Sequence, residues 1–112
     1  MKSGSVGVAA SAVDWMWDQR SEPRDAVHHR TRAARPDGRL VPMLIVNTSQ
    51  SGLMARCDLP CEEGDKLRID LPQIGHITAE VRWCLGGRLG CRFERPFGLA
   101  EYYTVLAAMR RA

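Results

Sequence analysis

Two short groups of polar residues in this chain of 112 residues are spaced to do chemistry. Arg20 and Arg24 bracket Ser21-Glu22-Pro23 as an R-x-x-x-R, and Asn47, Ser49 and Gly52 form an N-x-S-x-x-G inside "LIVNTSQSGLMA". A guanidinium is a planar, permanently charged fork. It grips phosphate or the O6/N7 edge of guanine through paired hydrogen bonds, and it stacks on a base. The 47–52 corner offers a side-chain amide, a hydroxyl, backbone N–H groups and a glycine that permits close approach. Such a set suits a ligand that presents both phosphates and purines. Each group also has a purely local reading. Asn, Ser and Gly favour turns in their own right, and "RSEPR" is an ordinary charged linker in an arginine-rich chain.

The elements that must hold these groups emerge from periodicity. Pro23 discourages helix through Glu22, so the two arginines lie on an irregular arm. "DAVHHRTRAA", 25–34, alternates, with Val27, His29, Thr31 and Ala33 on one side and His28, Arg30 and Arg32 on the other, as in a strand with one solvated face. "RPDGR" is a tight turn. "LVPMLIVN" is a second strand, in which Pro42 implies an edge or a bulge. "GLMARC" is a third, on the far side of the corner. "KLRIDL" points Leu67, Ile69 and Leu71 inward. "HITAEVRW" aligns Ile77, Ala79, Val81 and Trp83 on one face. After the "LGGR" turn, "LGCRFE" points Leu89, Cys91 and Phe93 inward. The period then changes. In "GLAEYYTVLAAMRRA", Leu99, Tyr102, Leu106 and Met109 mark one face of a helix, with Glu101 in its first turn and Arg110 and Arg111 in its last, as the helix dipole favours. Six short strands and one terminal helix predict an all-β fold: a small six-stranded antiparallel barrel with a C-terminal α-helix. The expected division is a flexible tail over residues 1–19, carrying Trp15 and Trp17, and one barrel domain over 20–112.

Composition narrows the function. The net charge of +3 is too small to require nucleic acid, and lysine occurs only at positions 2 and 66, so arginine supplies nearly all the positive charge. Residues 20–39 concentrate six arginines against three acids. No apolar run reaches the roughly 18 residues of a membrane span. The first 13 residues lack the apolar core of a secretory leader. Cys57, Cys61, Cys84 and Cys91 are therefore expected as reduced thiols in the cytoplasm.

The two groups, in this order and separated by one hairpin, resemble the PilZ domain. The resemblance runs from residue 20 to about residue 110. It includes the strand count, "VRW" near the fifth strand, "GCRF" at the last strand and the terminal helix. It implies a bacterial receptor for cyclic di-GMP, with Arg20, Arg24, Asn47, Ser49 and Gly52 as ligand residues. Trp83 is expected in the core, with a guanine-stacking surface as its alternative. Two departures bear on affinity and stoichiometry. Gln19 stands where many members carry a further arginine, and Asn47 stands in place of aspartate. A carboxylate accepts two hydrogen bonds from a guanine edge, whereas an amide has one acceptor and one donor group.

Other chemistry finds little support. Cys84 and Cys91 lack the spacing of a zinc knuckle, so no metal is expected. His28 and His29 point to opposite faces of a strand. No nucleophile elbow, catalytic triad or phosphate loop occurs, so neither an enzyme nor a cofactor is expected. Aromatics are too sparse on the strands for a single-stranded nucleic-acid platform. Two functions remain: a cyclic di-GMP sensor that signals through a protein effector or a homodimer, and an interaction module with the same fold that binds no nucleotide.

Overall fold

The computed structural model describes residues 22–58 and 60–111. Expectations for the tail, Trp15, Trp17 and Arg20 lie outside these residues. Six strands form: β1 (Asp25–Ala34), β2 (Leu40–Thr48), β3 (Gly52–Arg56), β4 (Lys66–Leu71), β5 (Gly75–Leu85) and β6 (Arg88–Phe93). They close into one antiparallel barrel in the order β1-β2-β3-β6-β5-β4, and helix α1 (Leu99–Arg111) comes after them. Among the described residues no helix is long and apolar enough to cross a membrane.

Alternation does most of the folding. Leu67, Ile69 and Leu71 of β4 are buried while Lys66, Arg68 and Asp70 are exposed. Val41, Met43 and Ile45 of β2, Leu53 and Ala55 of β3, Ala79 and Val81 of β5, and Leu89, Cys91 and Phe93 of β6 fill the interior. Tyr102, Val105, Leu106 and Met109 of α1 join the same cluster. Leu99 does not: it is 57% exposed, because the helix begins there and its buried face starts one turn later at Tyr102. Gly98 C=O accepts the Tyr102 N–H, which closes that first turn.

The barrel closes on a short seam. Only Ala33↔Ile69 and Ala34↔Arg68 pair across β1 and β4, and the Thr31 hydroxyl adds a bond to the Asp70 carbonyl. Pro42 sits opposite Arg32 of β1, but β2 begins pairing with β3 only at Leu44. A residue without an N–H thus occupies a stretch where β2 has one neighbour, which is locally an edge within a closed barrel.

Three irregularities shift the pairing register: between Ala26 and His29 in β1, between Ile45 and Asn47 in β2, and between Val81 and Trp83 in β5. A β-bulge adds one residue to one strand and reverses the facing of the residues beyond it. The last two position the candidate site.

Candidate functional site

Ile45 is completely buried, so strict alternation would turn Asn47 into the core as well. The bulge at Val46 turns it outward instead, opposite Met54 of β3. The same device acts on β5. Val81 is completely buried, and the bulge at Arg82 turns Trp83 out of the core, opposite Gly90 of β6. Trp83 is half-buried on the outer wall, which corrects the expectation of a core residue. The register then reads Asn47↔Met54↔Gly90↔Trp83, a continuous row across four strands on the barrel exterior. Three inter-strand steps give it a width of about 14 Å.

Arg24 comes down onto this row from the arm. Its Nη1 lies 3.7 Å from the Met54 Sδ, and the Asn47 Nδ2 lies 3.3 Å from the same sulfur. A thioether is a weak acceptor. The Asn47 Oδ1 is buried and has no hydrogen-bond partner among the described residues. Two of the expected ligand residues thus meet over one sulfur atom with most of their hydrogen-bonding capacity unspent, and an amide carbonyl left this way is costly unless something donates to it.

The rest of the corner is built inward. Ser49 is completely buried; its N–H donates to the Gly52 carbonyl at 2.9 Å, and its hydroxyl accepts from the Ser51 N–H at 3.4 Å. The Thr48 hydroxyl also donates to the Gly52 carbonyl, at 3.1 Å. Gly52 has no positive φ. It is required because β3 and β6 approach so closely there that a β-carbon would collide with the Cys91 carbonyl oxygen and lie 3.3 Å from the carbonyl carbon. The corner is tied to the end of β6 and the chain after it by Phe93 N–H to Ser51 O, Phe97 N–H to Gln50 O, and Gln50 Nε2 to Phe97 O.

Sequence reading passed over three further residues. Ser51, inside the motif but not among its fixed positions, donates from its hydroxyl to Glu22 of the arm at 2.7 Å, so arm and corner are joined by a direct bond. Met54 is a plain strand residue by alternation, yet its sulfur centres the site. Arg92 pairs in register with Gly52 on one side and Glu80 on the other, which brings a guanidinium beside the corner. Its position two residues from Gly90 was the available signal.

The arm is anchored just after Arg24. Asp25 Oδ2 accepts from the Tyr102 hydroxyl at 2.5 Å, and the Thr48 carbonyl lies 3.0 Å from that hydroxyl. Burial first, and the Asp25 carboxylate second, push the Tyr102 phenol well above its usual range. The Arg110 guanidinium holds the Ala26 carbonyl at 2.8 Å and stands 4.0 Å from Asp25. The first residues of β1 are therefore fastened to α1 near both of its ends.

Among the described residues no group of three or more His, Cys, Asp or Glu is arranged to hold a metal. None of the four cysteines forms a disulfide with another. Burial, reinforced by neighbouring Cys57, raises Cys61 to about 11, so it stays protonated at neutral pH.

No curated protein matches the chain. A family model for the PilZ domain matches residues 18–102, which takes in the arm, the corner, all six strands and the start of α1. That family binds cyclic di-GMP in general, and its domains are binding and adaptor modules rather than enzymes. By this match and by its closed six-stranded barrel with a terminal helix, the chain belongs to the PilZ domain family.

Proposed function

We propose that this protein is a cyclic di-GMP sensor and adaptor that clamps the ligand between the Arg20–Arg24 arm and the Asn47–Gly52 corner. One observation carries the reading: the Arg24 guanidinium and the Asn47 amide converge on Met54 with weak partners, and the Asn47 carbonyl oxygen has none among the described residues. Cyclic di-GMP supplies what these groups lack. Its guanine N–H donors suit the Asn47 oxygen. Its phosphates and O6/N7 edges suit arginine forks. Trp83, at the other end of the row, offers a ring face for a base. No catalytic step and no cofactor are needed, and the signal passes on through a protein effector or a second copy of the chain.

A second reading, an interaction module that binds no nucleotide, draws on Ser49 and Gly52. The close approach of β3 to β6 accounts for Gly52, and Ser49 is hydrogen-bonded within the corner, with or without a ligand. Calorimetry separates the two. Cyclic di-GMP should bind, GMP should bind far more weakly, and Arg24→Ala should lose about tenfold to hundredfold in affinity, the value of one good bidentate contact. Heatless titration of folded protein at millimolar cyclic di-GMP would select the second reading.

A further inference from the structure

A second surface lies beside the ligand row. On β3 and β6, one same-face step beyond Met54 and Gly90, stand Arg56 and Arg88, about 7 Å from the row. The register extends through them as Arg30↔Leu44↔Arg56↔Arg88↔Leu85. Arg30, Arg56 and Arg88 are exposed, and Leu85 is 80% exposed. Arg30 and Arg56 share a groove of about 420 Å³ floored by Pro42 and Leu44, with Asp58 on its rim.

This belt is unfavourable for the barrel alone. Like charges directly opposite on neighbouring strands destabilise a sheet, and Arg56 faces Arg88 across β3 and β6. Among the described residues the ion pairs are Arg39–Asp37, Lys66–Glu94 and Arg110–Asp25, none of which relieves the belt. Arg30, Arg56 and Arg88 make no hydrogen bond to any described residue. Guanidinium groups held this way, with leucines between and beside them, complement a surface that is both acidic and apolar.

We propose that the belt is the docking surface for an acidic protein partner, whose carboxylates pair with Arg30, Arg56 and Arg88 while apolar side chains cover Leu44 and Leu85. The proposal rests on the adaptor reading only in requiring that a partner exist. A nucleic-acid strand is the poorer fit, because Pro and Leu occupy the places where a stacking platform carries aromatics. A bilayer is also a poorer fit, because the belt runs around a closed barrel and a flat surface touches only part of it. A partner docked here stands within one same-face step of the ligand row, close enough for the two to sense each other.

The test measures anisotropy of a labelled Glu-rich peptide carrying two leucines, beside its Gln-for-Glu counterpart, an oligothymidylate and phosphatidylglycerol vesicles. The expected result is preference for the acidic peptide, with affinity falling at high salt. The double variant Arg56→Glu/Arg88→Glu should lose about tenfold or more of that affinity. Arg56→Gln/Arg88→Gln serves the same purpose if the charge reversal fails to fold. Cyclic di-GMP calorimetry on the same variant should be unchanged. Tighter binding of the oligonucleotide or the vesicles, equal peptide binding by wild type and variant, binding of none of the probes, or lost cyclic di-GMP binding in the variant would each overturn the docking proposal. Failure of wild type to bind cyclic di-GMP, with peptide binding intact, counts instead against the ligand reading.

Discussion

The indole of Trp83 lies where Gly90 would carry a β-carbon: an ideal Cβ there would sit 2.7 Å from Cε2 and closer still to Nε1. The two residues face each other across β5 and β6, and the glycine allows the ring to lie against the barrel wall. Trp83 is therefore held at a fixed height on the outer surface, in line with Met54 and Asn47.

Gly90→Ala should lift that ring without breaking the barrel, since the obstructing atoms belong to a side chain and not to backbone. Overpacking of this kind costs about 1–3 kcal/mol. In a background with Trp15 and Trp17 replaced by Phe, the emission of Trp83 should shift to the red. If Trp83 stacks on the ligand, cyclic di-GMP affinity should fall with it. Unchanged emission would mean that the ring does not rest on Gly90.

Gly52→Ala makes the opposite case. Here the colliding atom is a backbone carbonyl on β6, which cannot rotate away. Strands β3 and β6 must separate at the corner, and Phe93 N–H then loses its Ser51 acceptor. The expected loss is about 3 kcal/mol or more in urea unfolding. An alanine variant as stable as wild type would show that the close approach is not needed.

Much of this was legible in the sequence. The six strands, their turns and the helix emerge from period and punctuation, and the arm and corner stand out by spacing. Counting by twos fails where the chain inserts a residue. Val46 and Arg82 carry no mark of a bulge, so alternation sends Trp83 to the core, while the bulged backbone sends it outside. The sequence likewise distinguishes poorly between a glycine needed for positive φ and one needed for close packing. Gly52 is the second kind, and its reason, the Cys91 carbonyl, lies on a strand 39 residues away. Leu99 fits the helical period but precedes the turn at which α1 meets the core.

Ser49→Ala should act on stability more than on binding. The Ser49 side chain is completely buried and accepts from the Ser51 N–H within the corner. Loss of one such bond costs about 1 kcal/mol. Denaturation should register that loss, while cyclic di-GMP affinity should change by less than about threefold, well under a tenfold step of about 1.4 kcal/mol. A tenfold loss in affinity with stability unchanged would place the hydroxyl on the ligand.

Tyr102→Phe should weaken the fastening of β1 to α1 and alter the alkaline limb of stability. It removes the bond to Asp25 and the contact with the Thr48 carbonyl, at a cost of about 1–3 kcal/mol at neutral pH, since one acceptor is charged. Burial and Asp25 hold the folded phenol protonated above its ordinary 10.0. Above that pH the unfolded chain gives up a proton that the folded chain keeps, so stability falls as pH rises. The contribution is complete below about pH 10 and is lost upward from there. Cys61, raised to about 11, shifts in the same direction from its ordinary 9.0, so wild type should begin to lose stability near pH 9. The wild-type and Phe curves should converge above about pH 10. Parallel curves would show that Tyr102 titrates as it does in the unfolded chain.

Asn47→Asp tests the centre of the site. The Asn47 amide holds Met54 through its Nδ2 while its oxygen has no partner among the described residues. A carboxylate presents two acceptors, which match the paired N–H donors of a guanine edge. It also faces Arg24, whose guanidinium already rests on the same sulfur. In the free protein that arginine should swing onto the new carboxylate and draw the arm down, so part of the ordering that binding requires is already done. The added charge opposes the ligand's phosphates, but Arg24, which meets position 47 over the Met54 sulfur, is near enough to neutralise it. Binding of cyclic di-GMP should therefore tighten, by about tenfold, or roughly 1.4 kcal/mol. Arg24→Ala combined with Asn47→Asp should reverse the gain and bind more weakly than Arg24→Ala alone, because the carboxylate then stands unpaired beside an anion. Calorimetry on the four members of this cycle measures the coupling directly. Additive effects would mean that Arg24 and position 47 act on the ligand separately, and an unchanged affinity for Asn47→Asp would mean that the amide only shapes the corner.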